Sequence, residues 1–222
     1  SYLADHYYEE HKGKGWQYRR KILEDYESYV HKDNEISIQD FFGGGDRALR
    51  AVGYGKTAML FHMLKNRMGK ERFEEALRQV AKNQRFQITS WQDLEEIFSR
   101  AAGENLEDFF EFWLNSKGAT AISMAKIRLN QSTAGYNLEF SIQVRNSPMP
   151  LAIPVVIRSE AKEEKRILSL SKARQDFSLP IKEKPKEIVI DPSYDLFRTL
   201  KPTEGRAVLS RLLGDPSRTV VL

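Results

Sequence analysis

The 222-residue chain contains no cysteine. Disulfide bridges, thiolate metal sites and a cysteine nucleophile are therefore excluded from it, while the compartment stays unknown. Long hydrophobic runs are missing too. No stretch approaches the roughly eighteen uninterrupted apolar residues of a membrane span, and the opening "SYLADHYYEE" lacks the basic-then-apolar pattern of a secretory signal. A soluble chain without a membrane segment is expected. Strong net charge is also lacking: the formal balance is only +4. It is unevenly spread, since residues 1–118 carry 18 basic and 20 acidic side chains and residues 119–222 carry 17 and 11. The basic residues of the second part alternate with Glu and apolar residues and do not gather on one periodic face, so no nucleic-acid partner is expected. A solvated strand surface is the plainer reading, with polyanion binding as a minor alternative.

With 41% hydrophobic and 11% aromatic residues the chain has enough apolar material for real cores. In the first 118 residues that material recurs with the period of a helix. Phe73, Ala76, Leu77, Val80 and Ala81 fall at i, i+3, i+4, i+7 and i+8, and Leu106, Phe109, Phe110, Trp113 and Leu114 repeat the spacing. Between them, Ser90 followed by Asp93 forms a shortened capping box ahead of Trp91, Leu94, Ile97 and Phe98, and Gly103 lies just past the end. Residues 1–11 and about 15–31 are predicted as further helices separated by Gly13 and Gly15. Phe42-Gly43-Gly44-Gly45-Asp46 reads as a loop before a strongly apolar helix that starts near Tyr54.

Beyond Gly118 the period changes to two. Tyr136, Leu138, Phe140, Ile142 and Val144 alternate with polar residues, and Leu151, Ile153, Val155 and Ile157 do the same. Further short strands are predicted at 123–130, 164–170, 174–181 and 186–191, broken by Pro148, Pro150, Pro180 and Pro185. Six strands at this spacing predict a small antiparallel β-sandwich over 119–191. Residues 192–222 are expected to be a C-terminal tail with one short helix around 203–213.

"GYGKT" at 53–57 ends like a phosphate-binding loop. The glycine that must close such a loop, five residues before its Gly-Lys-Thr, is replaced by Arg50, and "GGGDRALRAV" supplies no buried strand. His6 and His11 are five apart, about 140° round a helix, one residue too many for the paired histidines of a zinc hydrolase. His31 in "VHKDN" reads as a solvated histidine, and His62 as a core histidine bonded to a neighbour. No metal site is expected from this chain alone. No Gly-x-Ser-x-Gly elbow is present, although a Ser-His-Asp arrangement stays open. The paired glutamates Glu74-Glu75, Glu95-Glu96 and Glu163-Glu164 read as solvated charge, and Phe109, Phe110, Phe112 and Trp113 as core.

From Gly53 to Leu114 the chain is similar to the helical region that follows the zinc site in the M1 family of metalloaminopeptidases, the gluzincins. Tyr54 and Lys56 opening an apolar helix, then Gly69 and Phe73, then Phe109, Phe110, Trp113 and Leu114, occur in the family's order. Thr57 stands where a Gly is usual, and "SKGATAI" lacks the Pro that commonly follows the Trp-Leu segment. The resemblance covers roughly residues 1–118. It implies an α+β multidomain fold, with an all-α helical region, the second half of a thermolysin-like catalytic domain, followed by the β-sandwich.

The family's His-Glu-x-x-His pair and its third ligand, a Glu, are absent from the sequence. "SYLADHYYEE" resembles the continuation of the run that carries that Glu, so the chain is expected to be a fragment that begins just after the zinc site. The resemblance further implies a peptide substrate and a zinc cofactor for the parent protein, with none expected in the fragment. It implies one catalytic residue here, Tyr54, whose hydroxyl reaches the oxyanion of the tetrahedral intermediate. A phenol with a pKa near ~10 stays protonated at neutral pH and donates one directed hydrogen bond there. Lys56 inherits no role and is expected at the surface. The competing expectation is a degenerate, non-catalytic peptidase-like scaffold.

Overall fold

The computed structural model describes residues 2–133, 135–201 and 204. The chain folds as helices followed by antiparallel strands. A π-helical turn at Tyr2–His6 continues into α1 (Tyr7–His11), and α2 (Gly15–Tyr29) follows beyond Gly13, whose positive φ of 70° breaks the helix. After an irregular stretch come α3 (Arg47–Arg50), a second π-helical turn (Ala51–Lys56), α4 (Thr57–Met68), α5 (Lys70–Asn83), α6 (Trp91–Ala102) and α7 (Glu107–Asn115).

The local chemistry explains the boundaries. Asp46 starts α3 by accepting from Leu49 N at 3.0 Å, so helical structure begins earlier than the predicted start near Tyr54. Ser90 and Asp93 close a full capping box on α6, and Gly103 ends that helix at φ 72° in the left-handed region. The helices pack through the residues whose spacing predicted them: Phe73, Phe98, Phe110 and Trp113 are buried, and rings meet edge-on or tilted along the set Tyr2, Phe61, Phe73, Phe98 and Phe110. Among the described residues no helix is long and apolar enough to cross a membrane.

The strands are β1 (Ala121–Ser132), β2 (Gly135–Arg145), β3 (Leu151–Arg158), β4 (Glu163–Leu170), β5 (Arg174–Ile181) and β6 (Glu187–Ile190). They form two three-stranded antiparallel sheets, ordered β1-β2-β5 and β4-β3-β6. Leu138, Phe140, Ile142 and Val144 of β2 and Leu151, Ile153, Val155 and Ile157 of β3 are buried, which is the alternation that predicted them. Pro180 does not break its strand as expected. It lies inside β5, which among the described residues is an edge strand paired only with β2, where a missing N–H costs no ladder bond on the open side.

After β6 the chain turns back to the helices. Asp191, fully buried, accepts from Asp195 N at 2.6 Å and from Arg198 Nε at 2.8 Å. Thr120 and Phe197–Thr199 exchange backbone hydrogen bonds, and the Phe197 ring packs against Tyr26 and Trp113. The helix expected around 203–213 lies outside the described residues.

Candidate active-site cleft around Tyr54

Tyr54 sits in the second π-helical turn, between the buried residues Ala51, Val52, Gly53 and Lys56. A π-helical turn carries one more residue per turn than an α-helix, and such insertions concentrate at functional sites because they push one side chain out of the regular face. Here that side chain is Tyr54, 44% exposed while Ala51, Val52, Gly53 and Lys56 of the same turn are buried. Its ring stands edge-on to Phe41, centroids 5.2 Å apart at 78°. The approach depends on Gly53, where an added Cβ would lie 2.4 Å from the Phe41 ring.

Tyr54 lines a cleft of about 410 Å³ together with Tyr18, Lys21, Ile22 and Tyr29 of α2 and Arg47 and Arg50 of α3. Lys21 and Asp25, one helical turn apart, are ion-paired with each other. Arg47 donates to the Tyr29 hydroxyl at 2.8 Å and lies over that ring at 5.1 Å.

Lys56, expected at the surface, is instead fully buried. Its ammonium donates to Ser116 O at the end of α7 and lies 5.6 Å from the Phe197 ring centre. Burial pushes its pKa down to about 8 against the pull of Glu35. The lysine is thus a strut beneath the Tyr54 turn, tying it to the start of the strand region. Glu35 meets the same junction, accepting from the Tyr26 hydroxyl and from Gly118 N.

The histidines are arranged differently from their sequence spacing. His11 is exposed and bonded to Tyr7 O, while His6 is buried against His62, ring centroids 4.9 Å apart. Arg19, itself buried, holds the group together. Its Nη1 is 3.2 Å from His6 Nε2 and pairs with Glu10, its Nη2 is 3.2 Å from Asp195, and its Nε donates to Ser193 O at 3.1 Å. An arginine offers only donors, so His6 accepts at Nε2 and carries its proton on Nδ1. Among the described residues that Nδ1 is buried without a partner, as is Nδ1 of His62, whose Nε2 faces Asp195 at 2.9 Å. Burial lowers the pKa of both rings, that of His6 to about 3, helped by its neighbours His62 and Arg19. Sequence reading paired His6 with His11 and missed Glu10, Arg19 and Asp195. The only local trace was the i, i+4 spacing of His6 and Glu10, which many helices show.

Two curated proteins align with part of this chain. Aminopeptidase M1-C of Oryza sativa subsp. japonica is 29% identical over 79 residues, and Aminopeptidase N of Lactococcus lactis subsp. lactis is 30% identical over 73 residues. These alignments cover 36% and 33% of this chain but only 9% of each relative's length. The family model for the "Peptidase family M1 domain" matches residues 3–113, half of the chain and all of the helices just described except the ends. The chain belongs to peptidase family M1. The fold is shared with a solved structure: a crystal structure of Legionella pneumophila aminopeptidase A in complex with aspartic acid superposes with a TM-score of 0.57 and 19% identity, over 81% of this chain and 20% of that one. Helices followed by antiparallel strands are the shared architecture.

Family M1 implies zinc, and His6, Glu10 and His62 bring three possible ligand atoms within 4.8 Å of one another. The donor types suit zinc, but the seat does not. The Arg19 guanidinium already lies against His6 and Glu10, so the cluster holds a fixed cation whose charge would repel a second one. His62 Nε2 is moreover engaged by Asp195. The described residues therefore do not fit the family's zinc, and the cluster is a buried tie between α1, α2, α4 and the segment after β6.

Proposed function

We propose that this chain is the Tyr54-bearing part of an M1 aminopeptidase that hydrolyses N-terminal peptide bonds, with the metal ligands and general base supplied outside these residues. On this reading residues 1–118 complete a catalytic domain, 119–191 form a β-sandwich domain, and residues 192–222 are a tail. The observation that carries the reading is Tyr54 itself: a half-exposed phenol projecting from a π-helical turn into a cleft, inside the stretch that matches the M1 domain and at the position that the sequence resemblance implies for the family's tyrosine.

The Tyr54 hydroxyl donates a hydrogen bond to the oxyanion that develops as the peptide carbonyl becomes tetrahedral. Such a donor acts more strongly on the transition state than on the substrate, because the charge it meets exists only there. Zinc, when bound elsewhere in the parent, supplies the Lewis acidity of the reaction. Gly53 and Phe41 fix the direction of the phenol, and Lys56 anchors the turn below it. Alone, the chain is expected to be inactive, since it lacks His-Glu-x-x-His.

The test is steady-state kinetics on the full-length protein containing this chain. Tyr54→Phe should lower kcat by about 100- to 1,000-fold with a far smaller change in KM. Unchanged turnover would remove the oxyanion role, and a parent without peptidase activity would favour the non-catalytic scaffold.

A further inference from the structure

The cleft that holds Tyr54 is lined by more positive than negative side chains. Three cations, Lys21, Arg47 and Arg50, line it against the single carboxylate of Asp25. That carboxylate is paired with Lys21 on its own helix. Arg47 is held by a neutral partner, the Tyr29 hydroxyl and ring, which fixes the plane of its guanidinium without cancelling its charge. Arg50 is exposed, and among the described residues neither arginine has a carboxylate partner. Arg50 precedes Tyr54 by four residues and lines the same cleft, so the two side chains face one space.

We propose that Arg50, with Arg47 beside it, forms a subsite that binds a carboxylate of the peptide substrate. A guanidinium presents parallel N–H donors matched to the two oxygens of a carboxylate, which is the chemistry this pair lacks within the described residues. The inference rests on Tyr54 marking the reaction centre and adds a substrate class to it: peptides whose negative group, either an acidic side chain or the terminal carboxylate, lies beyond the bond being cut.

Three peptides separate these sources: Ala-Ala-Ala amide, Ala-Ala-Ala with a free carboxylate, and Ala-Ala-Glu amide. With the full-length protein, at least one charged peptide should exceed the neutral amide in kcat/KM by about tenfold, the size expected of one exposed charge-assisted pair. The ratio should fall towards one in Arg50→Gln and in high salt, which screens exposed charge. A ratio near one in the unmodified protein, or an undiminished ratio in Arg50→Gln, would overturn the subsite while leaving the Tyr54 reading intact. That reading is tested separately by Tyr54→Phe on the neutral amide. No turnover of any of the three peptides would overturn both.

Discussion

His62 Nε2 lies 2.9 Å from a carboxylate oxygen of Asp195, a residue 133 positions further along the chain. The contact joins the helix that follows Tyr54 to the segment that follows the last strand. Arg19 meets the same carboxylate at 3.2 Å, and His6 lies against both Arg19 and His62. Neutral histidines, an arginine and a carboxylate thus share one buried place, and their protonation is linked to folding.

Stability should therefore fall on acidification. Burial depresses the folded-state pKa of His6 to about 3 and lowers that of His62, whereas both titrate near ~6.5 when unfolded. Below that value the unfolded chain takes up protons that the folded chain refuses, so the stability these rings contribute is complete above pH ~6.5 and is lost as the pH drops towards 3. Melting temperature measured from pH 8 to pH 4 should decline most steeply below about 6.5. A decline confined to the carboxylate range would contradict the assignment of neutral buried imidazoles.

Replacing Arg19 should be costly. Arg19→Met keeps most of the volume but leaves Glu10, Asp195 and His6 Nε2 facing one another without their shared donor. Breaking a buried charge network by removing one partner costs about 3–5 kcal/mol. Chemical denaturation should report a loss of that order, and a loss below about 1 kcal/mol would mean that water replaces the guanidinium freely.

Gly53→Ala should act on both stability and catalysis. The new Cβ would meet the Phe41 ring at 2.4 Å, and the ring that must move is the one standing against Tyr54. Overpacking of this kind costs about 1–3 kcal/mol. A double-mutant cycle with Phe41→Leu should show that most of the cost depends on Phe41. Additive effects would place the strain elsewhere.

Lys56 gives a dependence of the same sign in a separate, alkaline window. Its pKa falls from the ordinary 10.5 to about 8 in the folded protein because the ammonium is buried. Between these values the unfolded chain holds a proton that the folded chain has released, so this group's contribution to stability rises with pH through the window. The unfolding free energy of the unmodified protein, relative to Lys56→Met, should increase from pH 8 to pH 10. A flat difference would mean that the ammonium is solvated in the folded state.

Much of the architecture was legible in the sequence because helix and strand periodicity are local. Two strands, β2 and β3, lie where alternation put them, the other four fall on the further strands predicted, and the capping box at Ser90 and Asp93 forms as its two residues required. The π-helical turns were not legible: a π turn differs from an α turn by one residue of register, too little to alter an apolar period over five or six positions. Nor was the burial of Lys56, since its surroundings come from Ser116 and Phe197, far along the chain.

By itself, then, the sequence determined the apolar faces, the helix ends, the change of period after Gly118 and the row of residues from Tyr54 to Leu114 that marks family M1. Each is a property of neighbours a few positions apart, governed by side-chain volume and backbone preference. Only the tertiary structure decided which polar groups meet. His6 is drawn to His62 and away from His11, Arg19 fills the place a metal would need, and Arg47 and Arg50 line the Tyr54 cleft with no carboxylate paired to them among the described residues. The physical reason is that desolvation and charge pairing act between whatever groups packing brings together, and that choice is made by the sum of many apolar contacts across the whole fold.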